Sequence, residues 1–168
     1  MDLNNKLKTT KLETEKLVKL ILKAENIDSK NVDFQELDRV LFFTLLMYGI
    51  CSNDLYHMRT KLEISKKDLE KMNAFYFAYN RAKHTTIFKI TNEDSSYGSI
   101  VGSAVLGKAQ LGKRFGIVWS KLENKRKRDQ SNYAAYAKYL EGKKILDTIS
   151  IGIDSIEKYY PKLIKMYK

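Results

Sequence analysis

The chain holds only two histidines, His57 and His84, and imidazole is the side chain that most readily exchanges a proton near neutral pH. His84 closes the stretch Ala78-Tyr79-Asn80-Arg81-Ala82-Lys83-His84. On a helix, Asn80 lies four residues and Arg81 three residues before His84, so all three can face one site. A histidine beside a guanidinium and an amide can move a proton while the cation holds a phosphate, which is what cleavage at an RNA 2′-hydroxyl requires. A cationic imidazole is equally suited to a helix C-terminus, where the helix dipole favours it. His57, in Asn53-Asp54-Leu55-Tyr56-His57, reads as a surface or interhelix residue, with Asp54 placed to orient it. Cys51, Asp54 and His57 offer too few soft ligands for a zinc site, and neither a metal nor another cofactor is expected.

Charge points to the same region. The 31 Lys and Arg residues against 20 Asp and Glu give a formal charge of +11, yet residues 1–60 are neutral, with nine of each sign. Residues 81–128 carry eleven basic side chains against three acidic ones and so supply +8 of the excess. A concentrated positive field attracts polyanions, RNA foremost, because neutralised phosphates release their counterions. Lys83, Lys108, Lys113, Arg114, Lys125, Arg126, Lys127 and Arg128 are the candidate nucleic-acid contacts. The bland alternative is a Lys-rich composition in which the run at 125–128 is a solvated helix end. Gly102 to Lys108 fits the spacing of a phosphate-binding G-x-x-x-x-G-K loop, but Ala109 replaces the hydroxyl residue that would hold Mg²⁺. A basic loop touching a polyanion through Lys108, Lys113 and Arg114 is the better reading. Tyr133, Tyr136 and Tyr139 can stack on unpaired bases, although their spacing also makes an ordinary packed helix stripe.

The elements that must position these groups are mostly helical. Leu7, Leu12, Leu17, Val18, Ile21 and Leu22 recur at helical spacing over Lys6 to Ala24. Asp33 with Glu36, and Ser65 with Asp68, have the capping-box spacing and predict two further helix starts. The first opens a central helix lined by Phe34, Leu37, Leu41, Leu45 and Tyr48, and the second a helix running to about His84. Thr85 to Thr91 and Phe115 to Trp119 are β-branched and aromatic, and most of the chain's glycines fall between Gly98 and Gly116. Residues 86–119 therefore predict a short β-rich insertion. A helix is expected from Ser131, and Leu146, Ile149, Ile153, Ile156, Tyr160, Leu163 and Tyr167 mark the core stripe of a last helix, which Pro161 should kink or divide. The expected fold is a mainly α bundle of four to five helices in one domain, 1–168.

This order, with Asn80, Lys83 and His84 at the end of an internal helix, resembles the HEPN-domain proteins. Members are helical bundles with an Arg-polar-x-x-x-His motif, and many are metal-independent endoribonucleases of toxin and phage-defence systems that act as dimers. The resemblance implies catalytic roles for Asn80 and His84 and a homodimer, with Arg81 holding phosphate. Tyr79 stands where the family has its arginine, and Arg81 lies about 200° further round the helix. The function expected is RNA-directed, as an endoribonuclease of bacterial or phage origin. The alternative is a non-catalytic regulator or inhibitor that binds nucleic acid or a protein partner, such as an antitoxin or defence component, through the basic 81–128 surface. One cysteine excludes an intrachain disulfide, and the start of the chain lacks the apolar core of a signal peptide. The longest apolar run, Leu41 to Cys51, falls short of the roughly 20 residues of a membrane span. A cytoplasmic protein with no membrane contact is expected.

Overall fold

The structure, a computed structural model, describes residues 2–25, 33–93, 114–123 and 129–167, with the backbone alone for 92–93 and 114–115. Five helices, α1 (Leu3–Glu25), α2 (Phe34–His57), α3 (Lys66–Ala82), α4 (Gln130–Tyr139) and α5 (Ile145–Met166), pack round two strands, β1 (Phe88–Glu93) and β2 (Arg114–Trp119). The mainly α bundle with a short β insertion is the fold the periodicities predict. Both caps form as their spacing requires: Asp33 accepts from the Glu36 amide at 2.9 Å and Ser65 from the Asp68 amide at 3.1 Å. α2 is central and packs against α1, α3 and α5.

Three details differ from the sequence pattern. In α1 the buried stripe is Thr10, Thr14, Leu17, Ile21 and Ala24, whereas Leu12 and Leu22 are exposed. Thr10 and Thr14 can be buried because each donates to the carbonyl one turn back, and their oxygens also meet Cys51 Sγ and Tyr48 Oη of α2. α5 runs unbroken through Pro161, so the proline does not divide it into two helices. Its buried side is Ile145, Ile149, Ile156, Tyr159, Tyr160 and Leu163, so the packing of Tyr159, Tyr160 and Leu163 around the proline outweighs the missing backbone donor. Tyr167, the last residue of the expected stripe, is exposed.

The strands belong to the core. They pair antiparallel, with Phe88 opposite Trp119 and Ile90 opposite Ile117. Ile87, Phe88, Ile117 and Trp119 join the main apolar cluster. Trp119 is fully buried, and its indole donates to Thr148 Oγ1 of α5 at 2.7 Å. The Gly142 amide donates to the Trp119 carbonyl, and Gly142 has φ +73, a left-handed turn that lets α4 pass into α5.

Candidate functional site

The C-terminal end of α3 carries the sequence-predicted site. The helix stops at Ala82, and the amides of both His84 and Thr85 bond to the Arg81 carbonyl, at 2.9 and 3.1 Å. This last turn is tightened, so His84 leaves the regular four-residue register with Asn80. Asn80 and Lys83 do meet, the ammonium donating to Asn80 Oδ1 at 3.3 Å. Lys83 Nζ also sits 4.0 Å from the centre of the Tyr79 ring. Arg81 turns elsewhere: its guanidinium lies 4.9 Å from the Phe77 ring centre, and Nη2 is buried with no hydrogen-bond partner among the described residues. Tyr79 is a packing residue, against Phe42 and close over Gly49. His84 is exposed, and among the described residues its ring has no hydrogen-bond partner. The structure thus joins Asn80 to Lys83 and leaves Arg81 apart from His84.

The chain around this end carries no acidic side chain over a long stretch of sequence. No Asp or Glu occurs between Glu70 and Glu93, and Lys83, His84, Thr85, Thr86 and Lys89 are all exposed. Among the described residues, Asp38 of α2 shares a groove of about 430 Å³ with Thr86 and Lys89, its carboxyl pushed up by partial burial, and Glu25 Oε1 accepts from the Ile117 amide opposite Ile90. Arg114 opens β2 opposite Glu93 in the register. Lys108, Lys113 and the run Lys125, Arg126, Lys127 and Arg128 lie outside the described residues, as does the G-x-x-x-x-G-K stretch.

The second histidine stands at a true cleft. His57, with Ser52, Asn53, Tyr56, Asn73 and Tyr76, lines a cavity of about 410 Å³ between the end of α2, the first half of α3 and the start of α4. It also borders a more apolar cavity of about 510 Å³ on its other side. Asp54 does not orient it, because Asp54 Oδ2 accepts from Lys6 Nζ and Tyr160 Oη, each at 2.7 Å. Cys51 is fully buried beside Thr10, and burial pushes its thiol up, only partly opposed by hydrogen bonds from Thr10 and Tyr160. A protonated, enclosed thiol is neither a nucleophile nor a metal ligand at neutral pH. Among the described residues no helix is long and apolar enough to cross a membrane.

No motif in the sequence marks Ser52, Asn53, Asn73, Tyr76, Ser131 and Asn132 as site residues. Their signal was the helical spacing of polar residues, Asn73 with Tyr76 and Asn53 with Tyr56 and His57, on helices otherwise judged by their apolar faces. Compared with family models, curated proteins and solved structures, the chain matches none.

Proposed function

We propose that the protein is an RNA-directed helical bundle of HEPN type, serving a toxin or defence system, that holds an RNA strand along the C-terminal end of α3. The observation that carries this reading is the exposed Lys83, His84 and Lys89 on a stretch without any carboxylate from residue 71 to 92. These cations draw phosphates to the end of α3, with Asp38 of α2 lying across the groove from Lys89. In cleavage, the His84 imidazole takes the proton of a 2′-hydroxyl as its oxygen attacks phosphorus. The 5′-oxygen leaves with a proton from a second acid, and a 2′,3′-cyclic phosphate remains. One chain brings a single histidine to this end, so a homodimer supplies the acid as the His84 of the second copy.

A second reading, a non-catalytic regulator binding RNA or a protein partner, is favoured by one observation. Tyr79 is packed in the family's arginine position, and Arg81 lies against Phe77 instead of beside His84. The test is incubation of RNA with wild type, His84→Ala and Lys83→Gln in the presence of a chelator. The enzyme reading expects 2′,3′-cyclic phosphate ends with wild type and none with His84→Ala. Lys83→Gln should weaken binding and lower the salt slope by about one phosphate contact. Uncut RNA bound equally by wild type and His84→Ala leaves the regulator, and no salt-dependent RNA binding at all refutes both RNA readings.

A further inference from the structure

Ser52 breaks a pattern that the other buried helix hydroxyls keep. Thr10, Thr14, Thr44, Thr148 and Ser155 each donate to the carbonyl one turn back. Ser52 is only 7% exposed, yet among the described residues its hydroxyl has no partner, and it lines the 410 Å³ cavity beside His57. Asn53, Asn73, Ser131 and Asn132 line the same cavity, and none of their side chains is hydrogen-bonded to the described protein. The Ser52 hydroxyl is not among the sealed-off polar atoms and so opens into the cavity, where five uncommitted neutral groups offer a ready set of donors and acceptors.

The rest of the lining selects the ligand class. Among the described residues no Asp, Glu, Lys or Arg lines the cavity, and the imidazole of His57 is the one basic side chain there, so a cation or a bare phosphate finds little counter-charge on this lining. Leu69 and Met72 supply apolar contact. Tyr76 is 39% exposed and meets no other ring or cation among the described residues, whereas Tyr56 already has Arg59 over its ring at 4.2 Å. Tyr76 is therefore the open stacking platform. An aromatic platform, amides that pair donor with acceptor, and a volume within the range of ligand pockets together match a flat, neutral ring with a hydrogen-bonding edge.

We propose that the cleft of Ser52, Asn73 and Tyr76 binds a nucleobase, supplied either as a free nucleoside or as an unpaired base of RNA. This goes beyond the RNA reading and stands without it, because a nucleoside presents the same ring. The two sites are nonetheless in line: Asn73, Tyr76, Asn80 and Lys83 follow each other at three- and four-residue steps on one face of α3, about 15 Å from end to end.

The experiment titrates the four ribonucleosides, and ribose as a control, into wild type, Tyr76→Ala, Asn73→Ala and Phe43→Ala by calorimetry, then repeats the series with a short single-stranded RNA. Phe43 is an exposed aromatic on another groove, and thermal melts confirm that each variant is folded. At least one nucleoside should bind wild type and Phe43→Ala alike, with Tyr76→Ala weaker by roughly 5- to 150-fold, the worth of one stacked base. Nucleoside binding that depends on Tyr76 supports the cleft even if no RNA is retained, a result that sinks the RNA reading alone. Four nucleosides that fail to bind, ribose that binds as well as a nucleoside, or Tyr76→Ala that binds like wild type overturns the cleft. RNA bound regardless of Tyr76, with no nucleoside bound, overturns it too while leaving the RNA reading intact.

Discussion

Replacing Asp68 by Asn should cost about 2–4 kcal/mol at pH 7 and progressively less in acid. Asp68 is 6% exposed, and its carboxylate accepts from Tyr159 Oη and Lys158 Nζ at 2.8 Å, from Ser65 Oγ at 2.9 Å and from Lys71 Nζ at 3.3 Å. It thereby clasps the first turn of α3 to α5. Burial alone would raise its carboxyl, but the donors from Lys158, Tyr159, Ser65 and Lys71 outweigh it and hold the group well below the usual carboxylate range. A charge-assisted bond contributes about 1.5–3 kcal/mol, and the bonds from Tyr159 and Ser65 carry most of the loss. Lys158 is 56% exposed and adds little. For a chain of this length the loss lowers Tm by roughly 4–16 °C. Because the folded carboxyl titrates below the unfolded one, its contribution is complete above the unfolded value of about 3.9 and fades as pH falls toward the folded value. Urea denaturation at pH 7 and pH 3 reads both effects, and the gap between wild type and variant should shrink by about 1 kcal/mol between them. Equal stability at pH 7, or a gap that holds or widens at pH 3, refutes the clasp.

Two further outcomes test the core. A Cβ at Gly152 would stand 2.8 Å from Tyr48 Cδ2 and 3.0 Å from Phe75 Cε2, both on buried rings, and the Tyr48 hydroxyl is tied to Thr14 and to the Ile149 carbonyl. Gly152→Ala should therefore destabilise despite alanine's better helix propensity, by about 2–3 kcal/mol of overpacking set against about 1 kcal/mol of propensity, and a thermal melt at or above wild type contradicts it. Cys51 should resist a thiol reagent at pH 8 in the native protein and react once urea unfolds it, because it is fully buried and its thiol is pushed up; rapid native labelling refutes this placement.

The parts of the fold legible in the sequence are those set by contacts three or four residues apart. Asp33 and Ser65 show this most plainly, since their caps are local hydrogen bonds that the spacing alone specifies. The α1 face departs from its leucine pattern because a threonine can hide its hydroxyl against its own helix, which leaves Thr10 and Thr14 as good core residues as the leucines beside them. The continuity of α5 was illegible for a different reason. A proline's cost is local, whereas the burial of Tyr159, Tyr160 and Leu163 that outweighs it depends on partners far along the chain, such as Asp68 for Tyr159 and Asp54 for Tyr160.

The same distinction explains why charge counting led to the end of α3 and not to the cleft. Lys83, His84 and Lys89 announce themselves by type and by proximity in sequence, while Ser52, Asn73 and Ser131 are neutral and come together only through the packing of α2, α3 and α4. That difference has a physical consequence which separates the two sites in solution. Contacts to phosphate release counterions, so affinity at Lys83 falls steeply as salt rises. The described lining of the cleft holds no Asp, Glu, Lys or Arg, so a neutral nucleoside has few counterions to release there, and the stacking and hydrogen bonds around Tyr76 hold at high salt. An RNA oligomer should thus lose most of its affinity between low and high salt, whereas the nucleoside bound beside Tyr76 should keep its own.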